Sequence, residues 1–180
     1  MTDMEWITLA ESEGFSAAFL PAEQIPVNPG FRAFCEENRC GRYGANYACP
    51  PDCGTAGEMH RRLLAGRRAM VLASHWEIDG YGDLEGICCA EDAHNAGTLR
   101  LLDAARQSGL QGFAVGCSGC RLCSPCRRVE NAPCPFPERR MSCMSAYCVD
   151  VAALSRRCGL EYGWGGSCLH LFGMIVFLES

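Results

Sequence analysis

The amino-acid sequence predicts an α/β fold: a single layered domain with a small mixed sheet flanked by helices and two cysteine-rich, cluster-binding loops. Three observations point there. Segments with apolar residues at helical spacing alternate with short apolar runs of strand length. No linker, repeat or low-complexity tract divides the 180 residues, so residues 1–180 are read as one domain. Cysteines gather in two stretches rich in Gly, Pro and Asn, where periodicity is weak and loops are expected. With 48% hydrophobic residues, a chain of this length can bury a core without disulfide staples.

The elements follow in order. "MEWITLAESEG" has helical spacing and stops at Gly14, and "AAFLPA" is a short extended segment before Pro26 and Pro29. After the first cysteine group, "TAGEMHRRLLAG" predicts a helix with Thr55 as its cap and Gly66 as its stop. "RAMVLASHWEI" predicts a central strand, "AEDAHNAGTLRLLDAARQSG" the longest helix, and "LQGFAVGC" a returning strand. "VDVAALSRRCG" predicts the last helix and "CLHLFGMIVFL" the last strand. That final apolar run is far shorter than the roughly 20 residues a membrane-crossing helix needs, and no membrane association is expected.

Composition narrows the chemistry. The opening, "MTDMEWITLAESEG", places acidic groups before any apolar run and has no basic region with a cleavage site, so a cytoplasmic protein is expected. That compartment keeps thiols reduced, and its clustered cysteines bind metal or do redox chemistry more often than they form disulfides. A formal net charge of −5 argues against general nucleic-acid affinity, since phosphates demand a basic surface. The local balance between 121 and 140 is different: Arg121, Arg127, Arg128, Arg139 and Arg140 face Glu130 and Glu138 alone. These guanidinium groups either sit on a solvated loop or offset thiolate charge and dock an acidic partner.

The fifteen cysteines fall into two dense groups and a scatter. Cys35, Cys40, Cys49 and Cys53 lie in "CEENRCGRYGANYACPPDC"; Cys117, Cys120, Cys123, Cys126 and Cys134 lie in "CSGCRLCSPCRRVENAPCP". Such loops gain little from hydrophobic burial, and a metal centre would order them. Iron-sulfur clusters are held by four thiolates, and the bacterial ferredoxin run places three as C-x2-C-x2-C ahead of a cysteine followed by proline. Cys120, Cys123 and Cys126, then Cys134 before Pro135, contain those elements with a longer gap to the fourth. Spacing leaves the frame open, because Cys117, Cys120 and Cys123 make an equal triad.

Zinc is the competing cofactor. A structural zinc site uses two C-x2-C pairs separated by a longer loop, whereas Cys117/Cys120 and Cys123/Cys126 are separated by two residues. Pairing Cys49 and Cys53 with two later cysteines would relieve that. A redox-active dithiol wants one exposed pair at a helix start, and here there are too many cysteines.

"CGRYGANYACPP", then "CRLCSPC", a further Cys-Pro and "MSCMSAYCVDV" resemble a bacterial and archaeal family of predicted metal-binding proteins of unknown function, known mainly from anaerobes. The similarity runs from about Cys35 to the end of the chain. It implies that Cys120, Cys123, Cys126 and Cys134 form the second cysteine block, and that Cys35, Cys40 and Cys49 belong to the first. Cys53, Cys117, Cys143 and Cys148 stand outside the family's cysteine pattern, with Ser145 where relatives carry glutamate and Cys148 where they carry glycine. Cys53 is either a fourth ligand for the first block or a packing residue; Cys88, Cys89, Cys143, Cys148, Cys158 and Cys168 are expected to be small buried hydrophobes.

The expected cofactor is one or two 4Fe-4S clusters, with zinc as the alternative. The expected role is an electron-transfer accessory to a redox partner protein in anaerobic metabolism. The resemblance suggests a corrinoid or methyltransferase system as that company. His60 is a candidate ligand but is expected on the surface, and His75 and His94 have no motif around them. "YGDLEG" and "GWGG" read as glycine-rich turns without the context of a phosphate loop. Tyr43, Tyr47 and Trp164 are expected to pack or to shield a centre. The C-x3-C-x2-C signature of radical enzymes is absent, and no catalytic constellation is legible.

Overall fold

The computed structural model describes residues 1–165 and 167–178. Its elements are α1 (Asp3–Ser12), β1 (Ser16–Pro21), α2 (Arg32–Glu36), α3 (Ala56–Leu64), β2 (Arg68–Glu77), α4 (Leu84–Gln107), β3 (Gly112–Gly116), β4 (Ser142–Cys143), α5 (Val151–Cys158), β5 (Trp164–Gly165) and β6 (Cys168–Phe177). The sheet runs β1-β2-β6-β3-β4, with β5 pairing β6. It is mixed, as the sequence predicts: β3 and β4 are parallel and the other pairings antiparallel.

Local chemistry sets the helix ends. Thr2 and Thr55 each form a capping box with a glutamate three residues on, Glu5 and Glu58, satisfying main-chain donors that the first turn leaves free. Asp150 caps α5, and Gly159 ends it in the left-handed conformation. α4 begins earlier than its periodicity suggests, because the Asp83 carboxylate accepts from the Gly86 N–H at 2.8 Å. Half of "YGDLEG" is therefore helix and not turn. "GWGG" includes Gly166, which lies outside the described residues; Trp164–Gly165 is a short strand.

Alternation along the strands divides the core into two layers. Met70, Leu72, Ile175 and Phe177 face Trp6 and Ala10 of α1 and Leu99, Leu102 and Ala105 of α4. Val71, Met174 and Val176 face the other way, against Met59 and Leu63 of α3, Leu154 of α5 and the turn at Met144–Tyr147. His94 sits in this body, wholly buried on α4, its Nδ1 2.7 Å from Ser74 Oγ. Among the described residues no helix is long and apolar enough to cross a membrane.

Candidate metal centre

The first cysteine group begins on α2, which carries Cys35, and continues in the loop to α3; the second lies in the loop between β3 and β4. The first loop, residues 37–55, is folded by turn chemistry: Asn38 takes a positive φ of 52° and its side chain accepts from the Tyr43 N–H at 2.9 Å. Gly41 and Gly44 follow at φ 69° and 67°, a backbone shape that glycine adopts without strain. The second loop starts at the end of β3 and returns through β4.

The two loops clasp each other. Arg42 donates from its guanidinium to the carbonyls of Gly119 at 3.0 Å and Cys120 at 3.3 Å, and Asn46 Nδ2 donates to the same Cys120 carbonyl at 2.8 Å. Tyr47 O–H donates to the Ala132 carbonyl at 2.9 Å, and Arg128 Nε to Asp52 at 2.8 Å. Gly119 fits because it lacks a side chain: a Cβ there would stand 3.2 Å from Cys49 Sγ and 3.0 Å from the Arg42 side chain.

Thiols line two adjoining cavities. One, of about 570 Å³, has Cys35, Cys40, Cys49, Cys88, Cys117 and Cys143 on its wall. The other, of about 390 Å³, is walled by Cys120, Cys123 and Cys126, and Arg42 and Arg121 line both. Cys134 does not line this second cavity, but its thiol acts electrostatically on Cys120, as that of Cys126 does. Cys53 lines neither cavity: it packs in the core with Met59 and Tyr147, and its thiol donates to the Gly54 carbonyl at 3.8 Å.

Burial pushes the Cys35 thiol up to about 11, with Cys143, Cys148 and Cys40 adding to the rise against the pull of Arg32. Cys49 is raised by burial and then by Cys143 and Cys40. Burial also raises Cys143, while the main-chain amides of Ala146 and Ser145 act the other way. Each thiol makes ionisation of the next harder, a cost that a bound cation removes. Cys117 is pushed up to about 12 by burial and by Glu91, and its S–H faces the Glu91 carbonyl at 3.6 Å and Asn95 Oδ1 at 3.4 Å.

The arginines between 121 and 140 are mostly paired within the chain. Arg121 bridges Glu91 and Asp92, Arg127 pairs with Glu130, Arg128 with Asp52 and Arg139 with Asp103, while Arg140 lies over the Tyr47 ring. They fasten the second loop to α4 and to the first loop.

Other expectations need correction. Cys88 and Cys89 are exposed, not buried, because the first turns of α4 meet the sheet through Ile87 and Ala90, which pack with Leu169 and Leu171 and leave the two cysteines on the other side of the helix. Cys143 packs against the core as expected and also lines the larger cavity, and Cys158 and Cys168 are half-buried. Cys148 is wholly buried, as expected. His60 is half-buried on α3 and lines neither cavity. A pair invisible in the sequence is Cys168 with His75, Sγ to Nε2 2.6 Å, brought together by the β2–β6 register.

Soft thiolates suit zinc or iron-sulfur clusters. A tetrahedral zinc with Zn–S bonds of about 2.3 Å needs its sulfurs about 3.8 Å apart. Among the described residues, no three His, Cys, Asp or Glu side chains close on one ion-sized point. The thiols stand around open volume on the walls of the two cavities.

A mixed α/β body presenting grouped thiols on two interlocked loops defines a cysteine-rich class of metal-binding protein. The chain belongs to the family described as predicted metal-binding protein (DUF2284), whose model matches residues 18–177. No curated protein and no solved structure matches it.

Proposed function

We propose that this protein is an iron-sulfur electron carrier with two 4Fe-4S clusters, one in each thiol-lined cavity. It serves a redox partner protein of anaerobic metabolism, in the cytoplasm, within a corrinoid or methyltransferase system. The observation that carries the reading is the shared wall: Cys49 abuts Gly119, the residue before Cys120, so the two thiol sets adjoin. Such a cluster, when bound, supplies a one-electron couple with little movement of its ligands.

The chain's own residues shape how that couple would be used. Arg42 places positive charge beside both thiolate sets and offsets their negative charge, while the Arg121 charge is taken up by Glu91 and Asp92. Phe34, Tyr43 and Leu84 stand exposed on the wall of the larger cavity, an apolar rim that excludes water and can meet a partner surface. Cys120, Cys123, Cys126 and Cys134 hold the second centre, and the amides of Leu122 and Met141 favour the Cys120 thiolate. Cys35, Cys40 and Cys49 hold the first.

Anaerobic purification tests the proposal. A brown protein carrying about eight iron and eight sulfide per chain is the expected result. A colourless protein with stoichiometric zinc would overturn it in favour of a zinc-stabilised interaction module.

A further inference from the structure

Three thiols, Cys35 on α2 and Cys40 and Cys49 in the first loop, leave a four-iron centre one ligand short, and the missing ligand decides whether an iron is free to bind substrate. We infer that Cys143, and not Cys53, supplies the fourth thiolate, so that the first centre is closed by Cys35, Cys40, Cys49 and Cys143. The inference rests on the iron-sulfur reading above.

Position argues first. Cys143 shares the wall of the larger cavity with Cys35, Cys40 and Cys49, and Cys53 does not. It is fixed there by the parallel pairing of β4 with β3, where Cys143 registers against Gly116. The chain then turns through Met144–Tyr147, presenting the amides of Ser145 and Ala146 to the sulfur, groups that favour negative charge on it.

The other thiols are committed elsewhere. Cys53 stands off the wall of the larger cavity, and its thiol donates to the Gly54 carbonyl at 3.8 Å. Cys117 reaches the cavity, but its S–H faces two oxygen acceptors, and the nearby Glu91 carboxylate opposes a thiolate there. Cys88 is an exposed residue on the first turns of α4. Cys148 is wholly buried and absent from the wall.

Four protein thiolates leave no iron position open. The first centre then passes electrons without binding substrate at iron, which separates this protein from enzymes that keep an open iron.

The test compares full-length wild type, Cys143→Ser, Cys143→Ala and Cys53→Ser, loaded anaerobically with ferrous iron and sulfide. Readouts are iron and sulfide per chain, electron paramagnetic resonance of the reduced protein, and far-ultraviolet circular dichroism. Both Cys143 variants are expected to lose about half the iron, or to hold a three-iron form, while the second centre's signal persists as proof of folding. Cys53→Ser should keep full content. Full iron in the Cys143 variants, or loss of half in Cys53→Ser, overturns the inference. Added thiolate or imidazole should leave the wild-type spectrum unmoved; a shift marks an open iron and also overturns it, and this arm stands even where a variant does not fold. A wild type without iron refutes the iron-sulfur reading itself, a result distinct from all of these.

Discussion

In the sheet, Val71, Met174 and Val176 are shut between two layers of helices, and β2 and β6 pair along ten residues each. In the loops that carry the first and second cysteine groups, order comes from asparagine turns, positive-φ glycines and side chains that donate to main-chain carbonyls. The body is held by burial, which is non-directional and tolerant; the loops are held by a few directional contacts and by whatever their thiols bind. Loss of stability and loss of the site are therefore separable failures, and three perturbations sharpen that separation.

The largest effect should come from Trp6→Ala. Trp6 is wholly buried between α1 and the sheet, 6.2 Å from the Phe177 ring, and its truncation should cost about 3–5 kcal/mol. Denaturant melts of the apoprotein should show this loss, while metal content per folded chain stays unchanged. Arg42→Ala inverts the pattern. It removes a charged donor from the carbonyls of Gly119 and Cys120, a local loss of about 1.5–3 kcal/mol. Hydrogen exchange should quicken across both cysteine loops and leave β2 and β6 protected; uniform quickening would show that loops and body unfold as one unit.

The smallest effect is an acid slope. Burial holds His94 down to about 3 from an ordinary 6.5. Below 6.5 the unfolded chain takes a proton that the native chain refuses, so stability falls as the pH drops from 6.5 towards 3. The His94 contribution is about 1.4 kcal/mol per pH unit in that window. His94→Gln should flatten the apoprotein's acid melting profile, and an unchanged slope would mean that carboxylates dominate it.

Much of the body was legible because its signals are local. Thr55 with Glu58, Asp150 before α5, Gly14 and Gly159 mark ends that depend on a few neighbouring residues. The β2 and β6 runs are apolar enough to announce burial on both faces. The gathering of thiols into two loops was legible too, since composition and spacing carry it. Which thiols meet was not. Cys143 reaches the first cavity through a β3–β4 pairing and a chain path of more than ninety residues from Cys49, and Cys168 reaches His75 through a strand register. Cys88 and Cys89 misled because residue type does not say which side of a helix faces the sheet, and here Ile87 and Ala90 take that side.

Just ahead of the first loop, the chain is stitched to the segment following Cys143: Val27 bridges Val149, the Asn28 N–H donates to the Cys148 carbonyl at 2.8 Å, and the Asp150 N–H to the Pro26 carbonyl at 2.9 Å. A nascent chain emerging from the ribosome would thus offer Cys35, Cys40 and Cys49 long before Cys143 has been synthesised. With the proposed ligand set, loading of the larger cavity belongs after translation, and a peptide excised around Cys35–Cys53 would lack the wall that Cys143 supplies.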